Sequence, residues 1–176
     1  MTEPEVSLRL ALYHIKNHLT EQDVRVSIDG AHIKTGDVVH FDITDHLRKA
    51  LCVKTEGDHD RWQGTYQVTG YDAKIILDAV PGYGDVRIRL QDGRTLYVES
   101  KKSKPGKSSQ EYPLMREAIG QLMTSCVIDG DTIPAVAVPY TKKSLELAER
   151  WSRLEQIRKV GIRFILVIED GDIRIV

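Results

Sequence analysis

The chain has 176 residues, of which 41% are hydrophobic and 29% charged, with a formal net charge of −1, as is typical of one globular domain rather than a disordered chain. The longest apolar run, 164–168, is too short to cross a bilayer, no basic-then-apolar signal opens the chain, and two cysteines are too few for a disulfide framework. We therefore expect one cytoplasmic domain, 1–176, with no membrane contact.

The N-terminal part combines a helix with short strands. Apolar residues recur at helical spacing from Pro4 to Leu19, which predicts an amphipathic helix. Residues 24–43 alternate with period two around the turns Asp29-Gly30 and Thr35-Gly36-Asp37, which indicates short antiparallel strands. We interpret 24–70 as a β-rich insertion into the core of the domain.

The remaining elements suggest a layered fold. We expect a short helix at 45–51 and a loop at 54–70 that contains a strand at 65–68. Three strands should follow, at 73–80, 86–90 and 95–100, and then a helix opened by Pro113. The chain should end with a strand at 133–138, a helix at 141–160 ended by Gly161, a strand at 163–168 and a short final strand. This order predicts an α/β fold, an α+β sandwich in which helices flank a mixed central sheet.

The hairpin formed by the strands at 86–90 and 95–100 allows two registers. A two-residue loop at Asp92-Gly93 would mix apolar and charged side chains on each face. A three-residue loop with Gly93 in the left-handed conformation pairs Val86 with Val98 and gathers the apolar side chains on one face. Because a buried face fixes the register strongly, we expect the second alignment.

In that register two acidic side chains face each other. Asp85 and Glu99 would lie roughly 5 Å apart between Cβ atoms, with Lys101 one pleat further on the same side. Their repulsion requires positive charge, from the lysine or from a divalent cation. Oxygen-only ligands suit Mg²⁺ or Mn²⁺, which would polarise a phosphate and lower the pKa of an attacking water, while Lys101 would orient that water or stabilise the developing charge.

The pattern GD-x13-ESK on adjacent strands, followed by a basic loop and a helix, resembles the PD-(D/E)xK nuclease superfamily. The resemblance implies a restriction-endonuclease-like core, in which a helix, three strands, a helix and a strand follow one another if 24–70 is an insertion. Glycine at position 84 takes the place of the motif's proline. By position, the resemblance makes Asp85 and Glu99 metal ligands and catalytic residues, Lys101 the catalytic lysine, Gln121 a polar active-site side chain, and Glu5 a match for the first-helix glutamate of some members.

Positive charge is concentrated beside this motif. Residues 85–116 carry eight Lys and Arg against four Asp and Glu, whereas residues 1–80 carry nine against thirteen. Four side chains of the loop are candidates for binding nucleic-acid phosphates, with an ordinary solvated loop as the alternative: Lys102, Lys104, Lys107 and Ser108.

The resemblance implies a Mg²⁺- or Mn²⁺-dependent endonuclease that hydrolyses DNA rather than RNA, in restriction, repair, recombination or defence against mobile elements. The alternative is a catalytically silent nuclease-fold module that binds nucleic acid or a protein partner. For Asp85, Glu99 and Lys101, the corresponding structural interpretation is the solvated polar face of a hairpin. Sequence recognition would come from 24–70, from a homodimer or from another subunit.

Overall fold

The structure is a computed structural model that describes residues 1–82, 84–103 and 108–176. Its helices are α1 (Glu3–Lys16), α2 (Ile43–Lys49), α3 (Glu111–Ser125), α4 (Lys142–Trp151) and α5 (Glu155–Val160). Its strands are β1 (Val24–Ser27), β2 (Lys34–Thr35), β3 (Val38–Val39), β4 (Cys52–Glu56), β5 (Gly64–Val68), β6 (Lys74–Asp78), β7 (Val86–Arg89), β8 (Thr95–Ser100), β9 (Thr132–Pro139), β10 (Arg163–Val167) and β11 (Ile173–Ile175). Short 3₁₀ helices cover Gly30–His32 and Ser108–Gln110.

A mixed sheet forms the centre of the fold. The described residues give it nine strands in the order β11-β10-β9-β8-β7-β1-β6-β5-β4, while β2 and β3 pair as a separate hairpin. Most neighbours are antiparallel, but β9 runs parallel to both β8 and β10, and β1 runs parallel to β6. The expected α/β class, a mixed sheet flanked by helices, is confirmed.

Helices cover both faces of this sheet. The side chains of β9 alternate between the two faces, so Ala135 and Ala137 join the core beneath α1 and α2, whereas Val136 and Val138 join the core beneath α3 and α4. On β10, Ile165 belongs to the first core and its neighbours to the second. The strands near β8 are therefore buried on both sides.

The β7–β8 hairpin has the predicted register. Val86 pairs with Val98, and the pairing continues to the turn. The Gly93 N–H donates to the Leu90 carbonyl, the Leu90 N–H donates to the Arg94 carbonyl, and Gly93 has a φ of 86°. The three-residue loop inferred from the apolar pattern is confirmed.

The strand order differs from the sequence prediction at β1. This strand belongs to the segment interpreted as an insertion, yet it lies in the sheet between β6 and β7, antiparallel to β7 and parallel to β6. As a result β6 is not the neighbour of β7, and the strands that extend the sheet beyond β1 are β6, β5 and β4. Parallel pairing between segments distant in sequence leaves no local pattern from which this order could be predicted.

Three local elements also differ from the expectation. Residues 52–56 form β4 where a loop was predicted, and the pairing of β4 with β5 shifts register between Lys54 and Glu56. The turn at Asp29-Gly30 leads into a 3₁₀ helix, because the Asp29 carboxylate accepts from the Ala31 N–H at 2.9 Å. The helix expected at 141–160 is divided into α4 and α5. Among the described residues, no helix combines the length and apolar character needed to cross a membrane.

Gly93→Ala should lower the free energy of unfolding by about 1–2 kcal/mol, because a Cβ strains the left-handed conformation that the turn needs. Gly120→Ala is the control of opposite sign: Gly120 lies in α3, and an added Cβ meets nothing within 4 Å. This control should gain about 1 kcal/mol from helix propensity. Urea unfolding measures both, and equal effects of the two substitutions would contradict the hairpin assignment.

Candidate active site

The hairpin brings Asp85 and Glu99 to one cleft. Asp85 immediately precedes β7, and its N–H donates to the Val98 carbonyl at 2.9 Å. One of its carboxylate oxygens accepts from the Ser100 N–H at 2.6 Å, which attaches the side chain directly to β8. Both carboxylates line a cleft of about 520 Å³ together with Gln121 and Ser125 of α3. Asp85, just before β7, and Glu99, on the adjacent antiparallel strand β8, therefore line the same cleft, as the sequence predicted.

Glycine at position 84 is required by the approach to Asp85. Its φ is 69°, and a Cβ at this position would lie 2.5 Å from a ring carbon of Tyr97. Proline, whose φ is fixed near −65°, cannot adopt this conformation. The departure from the family motif therefore has a local cause, since the chain crosses the Tyr97 ring just before the acidic residue.

Both carboxylates have unusual protonation properties. Glu99 is 6% exposed and accepts a hydrogen bond from the Ser125 hydroxyl at 3.1 Å. Burial, followed by the charge of Asp85, raises the pKa of Glu99 to about 7. Burial is also the main cause that raises the pKa of Asp85 to about 7, although the Ser100 N–H opposes it. Negative charge in this cleft is poorly compensated, which makes it a favourable place for a cation.

Lys101 lies beside the acids but is tied to two other carboxylates. It is 5% exposed, and its Nζ lies 3.2 Å from Glu117 Oε1 and 3.7 Å from Glu3 Oε1. Glu3 comes from α1 and Glu117 from α3, so the lysine is held between helices of opposite layers. Its charge also lowers the pKa of both Asp85 and Glu99. Lys101 is therefore coupled to the acidic pair without lining the cleft itself.

Of the two glutamates in the first turn of α1, Glu3 contacts Lys101 and Glu5 does not. Glu5 forms a capping box with Thr2 and an ion pair of 2.9 Å with Arg9, which occupies its carboxylate. Sequence reasoning missed Glu3, and it also missed Glu117. Glu117 could have been predicted from the sequence, because it precedes Gln121 by four residues and so lies on the same side of the helix.

Gln121 presents an unused acceptor. Its Nε2 donates to Glu117 Oε1 at 3.5 Å, while its Oε1 is buried and has no hydrogen-bond partner among the described residues. A buried acceptor without a partner is unfavourable and points to a ligand or a water. Since Gln121 lines the same cleft as the acids, that group would lie next to them.

The donor chemistry of the cleft fits Mg²⁺ or Mn²⁺. Within residues 1–82, 84–103 and 108–176, no three His, Cys, Asp or Glu side chains are arranged to hold a metal ion. The oxygen donors that line the cleft include the Asp85 and Glu99 carboxylates and the Gln121 amide oxygen, together with the Asp29 carboxylate and the hydroxyls of Ser27, Thr124 and Ser125. Mg²⁺ commonly uses one or two carboxylates and keeps several waters, whereas structural zinc requires four protein ligands.

A second cleft of about 360 Å³ adjoins the site on the side of Glu3. Its polar lining includes Glu3, His32, His40 and Lys102, so this lysine lies near the site but outside the first cleft. The other candidate phosphate-binding residues of the basic loop were Lys104, Lys107 and Ser108. Lys104 and Lys107 lie outside the described residues, and Ser108 begins a 3₁₀ helix.

Comparisons with protein-family models, with curated proteins and with solved structures each give no match. The roles of Asp85, Glu99, Lys101 and Gln121 must therefore be inferred from their own geometry and chemistry.

The raised pKa values predict a specific pH dependence of stability with EDTA present. Between about pH 4 and pH 7 the folded protein retains protons on Asp85 and Glu99 that the unfolded chain releases, so the free energy of unfolding falls as the pH rises and levels off above about pH 7. Glu99→Gln removes one of these groups and preserves an acceptor for Ser125. It should raise the Tm by roughly 5 °C at pH 8 and much less at pH 4.5.

Glu155→Gln, an exposed change on α5, is the control and should leave the pH profile of the Tm unchanged. A Tm difference between Glu99→Gln and wild type that is the same at both pH values would rule out the raised pKa of Glu99.

Proposed function

We propose that this protein is a Mg²⁺- or Mn²⁺-dependent nuclease that hydrolyses phosphodiester bonds of DNA. The observation that carries the proposal is a pair of carboxylates, those of the partly buried Asp85 and the buried Glu99, which share one cleft and have raised pKa values. Lys101, beside them, already contacts two other carboxylates and does not fully offset their charge. A divalent cation and a substrate phosphate would complete this arrangement.

The order of elements around the cleft supports a restriction-endonuclease-like core. Along the chain, α1, β1, β7, β8, α3 and β9 follow the order helix, three strands, helix and strand. The four strands are consecutive neighbours in the sheet, with β8 and β9 parallel. In this assignment β1 takes the place that the sequence interpretation had given to the strand at 73–80.

Asp85 and Glu99 would hold the metal together with water. When bound, the metal polarises the phosphodiester and lowers the pKa of water. The remaining chemistry falls to side chains of the chain. Metal binding requires both carboxylates to be deprotonated, and their pKa values are about 7. The affinity for the metal should therefore increase as the pH rises through about 7.

Lys101 and Gln121 have distinct roles in this reaction. Hydrolysis forms a bond from the water oxygen to phosphorus and breaks the bond to the leaving oxygen; one water proton ends on that oxygen and the other on the phosphomonoester. The Lys101 ammonium, held by Glu3 and Glu117 outside the lining of the cleft, would stabilise negative charge that develops on the phosphate through space rather than by direct contact. Gln121 Oε1 accepts a hydrogen bond from the attacking water and orients it.

Cleavage of labelled DNA in Mg²⁺, Mn²⁺ and EDTA tests this proposal. Wild type should cleave only with a metal, and Glu99→Gln and Lys101→Gln should each lose about 10²–10³-fold or more in rate. The matched controls Glu155→Gln and Lys142→Gln change exposed residues away from the cleft and should cleave as wild type does. Each variant is checked for folding by its Tm. A Lys101→Gln protein that cleaves at the wild-type rate contradicts the assigned role of the lysine.

A catalytically silent nucleic-acid-binding module is the second candidate, favoured by the lack of a three-ligand metal group among the described residues. Binding of DNA in Ca²⁺ and in EDTA distinguishes the two functions. A nuclease should bind more tightly in Ca²⁺, because the ion screens Asp85 and Glu99 from the phosphate, and Asp85→Asn should reduce this gain. Equal affinity in Ca²⁺ and EDTA, together with no cleavage, would favour the silent module.

A further inference from the structure

The second cleft begins one residue from the catalytic lysine. Lys102 follows Lys101 directly, and consecutive Cα atoms lie about 3.8 Å apart. Glu3 belongs to both places, since it lines the second cleft and its carboxylate lies 3.7 Å from Lys101 Nζ. A ligand in the second cleft would therefore be close to one bound at the acidic pair.

The formally charged side chains that line the second cleft are Lys102 and Glu3. Within the described residues, Lys102 makes no ion pair or hydrogen bond. His32 contacts Glu3, with 3.4 Å between Nδ1 and Oε1, but Glu3 is already shared with Lys101. Burial lowers the pKa of His32, and Lys102 and Lys101 lower it further despite the opposing charge of Asp29. An anion in this cleft would place negative charge beside Lys102, and a neutral His32 can still donate a hydrogen bond to it from its ring N–H.

The volume of the cleft suits a nucleotide unit. At about 360 Å³ it falls within the range of small-molecule sites. His40 adds a further polar group to the lining, with its Nε2 3.1 Å from Thr35 Oγ1, whereas the Ser103 hydroxyl already donates to Glu111 Oε1 at 3.0 Å. Lysine and histidine side chains are donors that commonly hold backbone phosphates, and such contacts fix the register of a strand without reading its sequence.

We propose that the second cleft is a subsite for the phosphate adjacent to the scissile one, held by Lys102 and His32. This inference rests on the proposed nuclease function. Its role is to set the position of the strand, so that the next phosphate lies at Asp85 and Glu99. Affinity gained here is independent of base identity.

The test uses the full chain and a fluorescein-labelled single-stranded deoxyoligonucleotide in Ca²⁺, with Kd measured by anisotropy at several salt concentrations. Lys102→Gln should weaken binding about 5- to 10-fold and flatten the slope of log affinity against log salt by about 0.7, the value for one phosphate on a single strand. His32→Gln should weaken binding several-fold. The matched controls are Lys142→Gln and His59→Gln, which change exposed residues outside both clefts.

The possible results separate the two levels of inference. If wild type binds and cleaves but Lys102→Gln has the same Kd and salt slope as Lys142→Gln, the subsite is wrong and the nuclease proposal stands. An effect of Lys102→Gln with no difference between His32→Gln and His59→Gln overturns the placement of the phosphate in this cleft. Absence of both binding and cleavage in wild type overturns the nuclease proposal, and the subsite with it.

Discussion

Removal of the Asp85 and Glu99 carboxylates from water is the constraint on which the candidate site depends. An ionised carboxylate in a poorly solvated position is unfavourable unless hydrogen bonds or opposite charges compensate it. The Ser100 N–H donates to Asp85, and the Ser125 hydroxyl donates to Glu99. Lys101, whose charge lowers the pKa of both acids, is shared with two other carboxylates. The compensation is incomplete, so the pKa of both acids is raised to about 7, and the proposed cation site rests on this imbalance.

The site is assembled by contacts between layers rather than by the hairpin alone. The Ser7 hydroxyl of α1 donates to the Ser100 hydroxyl of β8 at 2.9 Å, and both side chains are buried. Ser7 lies one turn along α1 from Glu3. The Glu3 carboxylate contacts Lys101 from this side of the sheet, and Glu117 of α3 contacts Lys101 from the other side. Packing of both helices on the sheet therefore determines the charge around the acidic pair. The fold stabilises this electrostatic arrangement through its two hydrophobic cores.

Local patterns predicted the hairpin better than the surroundings of its acids. The register of β7 and β8 follows from side-chain alternation and from Gly93, both of which are short-range features. The place of β1 depends on pairing with distant segments, and no periodicity encodes it. At the start of α1, Glu3 and Glu5 lie in the same turn, but the capping box and the ion pair with Arg9 engage Glu5, whereas Glu3 contacts the lysine. Tertiary pairing therefore decided the place of β1, and local contacts within α1 decided which glutamate is available to Lys101.

Strand β8 has hydrogen-bonded strands on both sides and helices over both faces. It should therefore resist local opening more than the end of α1, which also contributes a residue to the site. Backbone amides in such a strand exchange with solvent mainly when the whole domain unfolds, whereas helix ends fray at much lower free energy. Glu3 occupies the first turn of α1, so fraying there would release one partner of Lys101 while Glu99, on β8, stays in place. Of the two carboxylates that hold the lysine within the described residues, that of Glu117 would then remain, on a timescale on which Glu99 does not move.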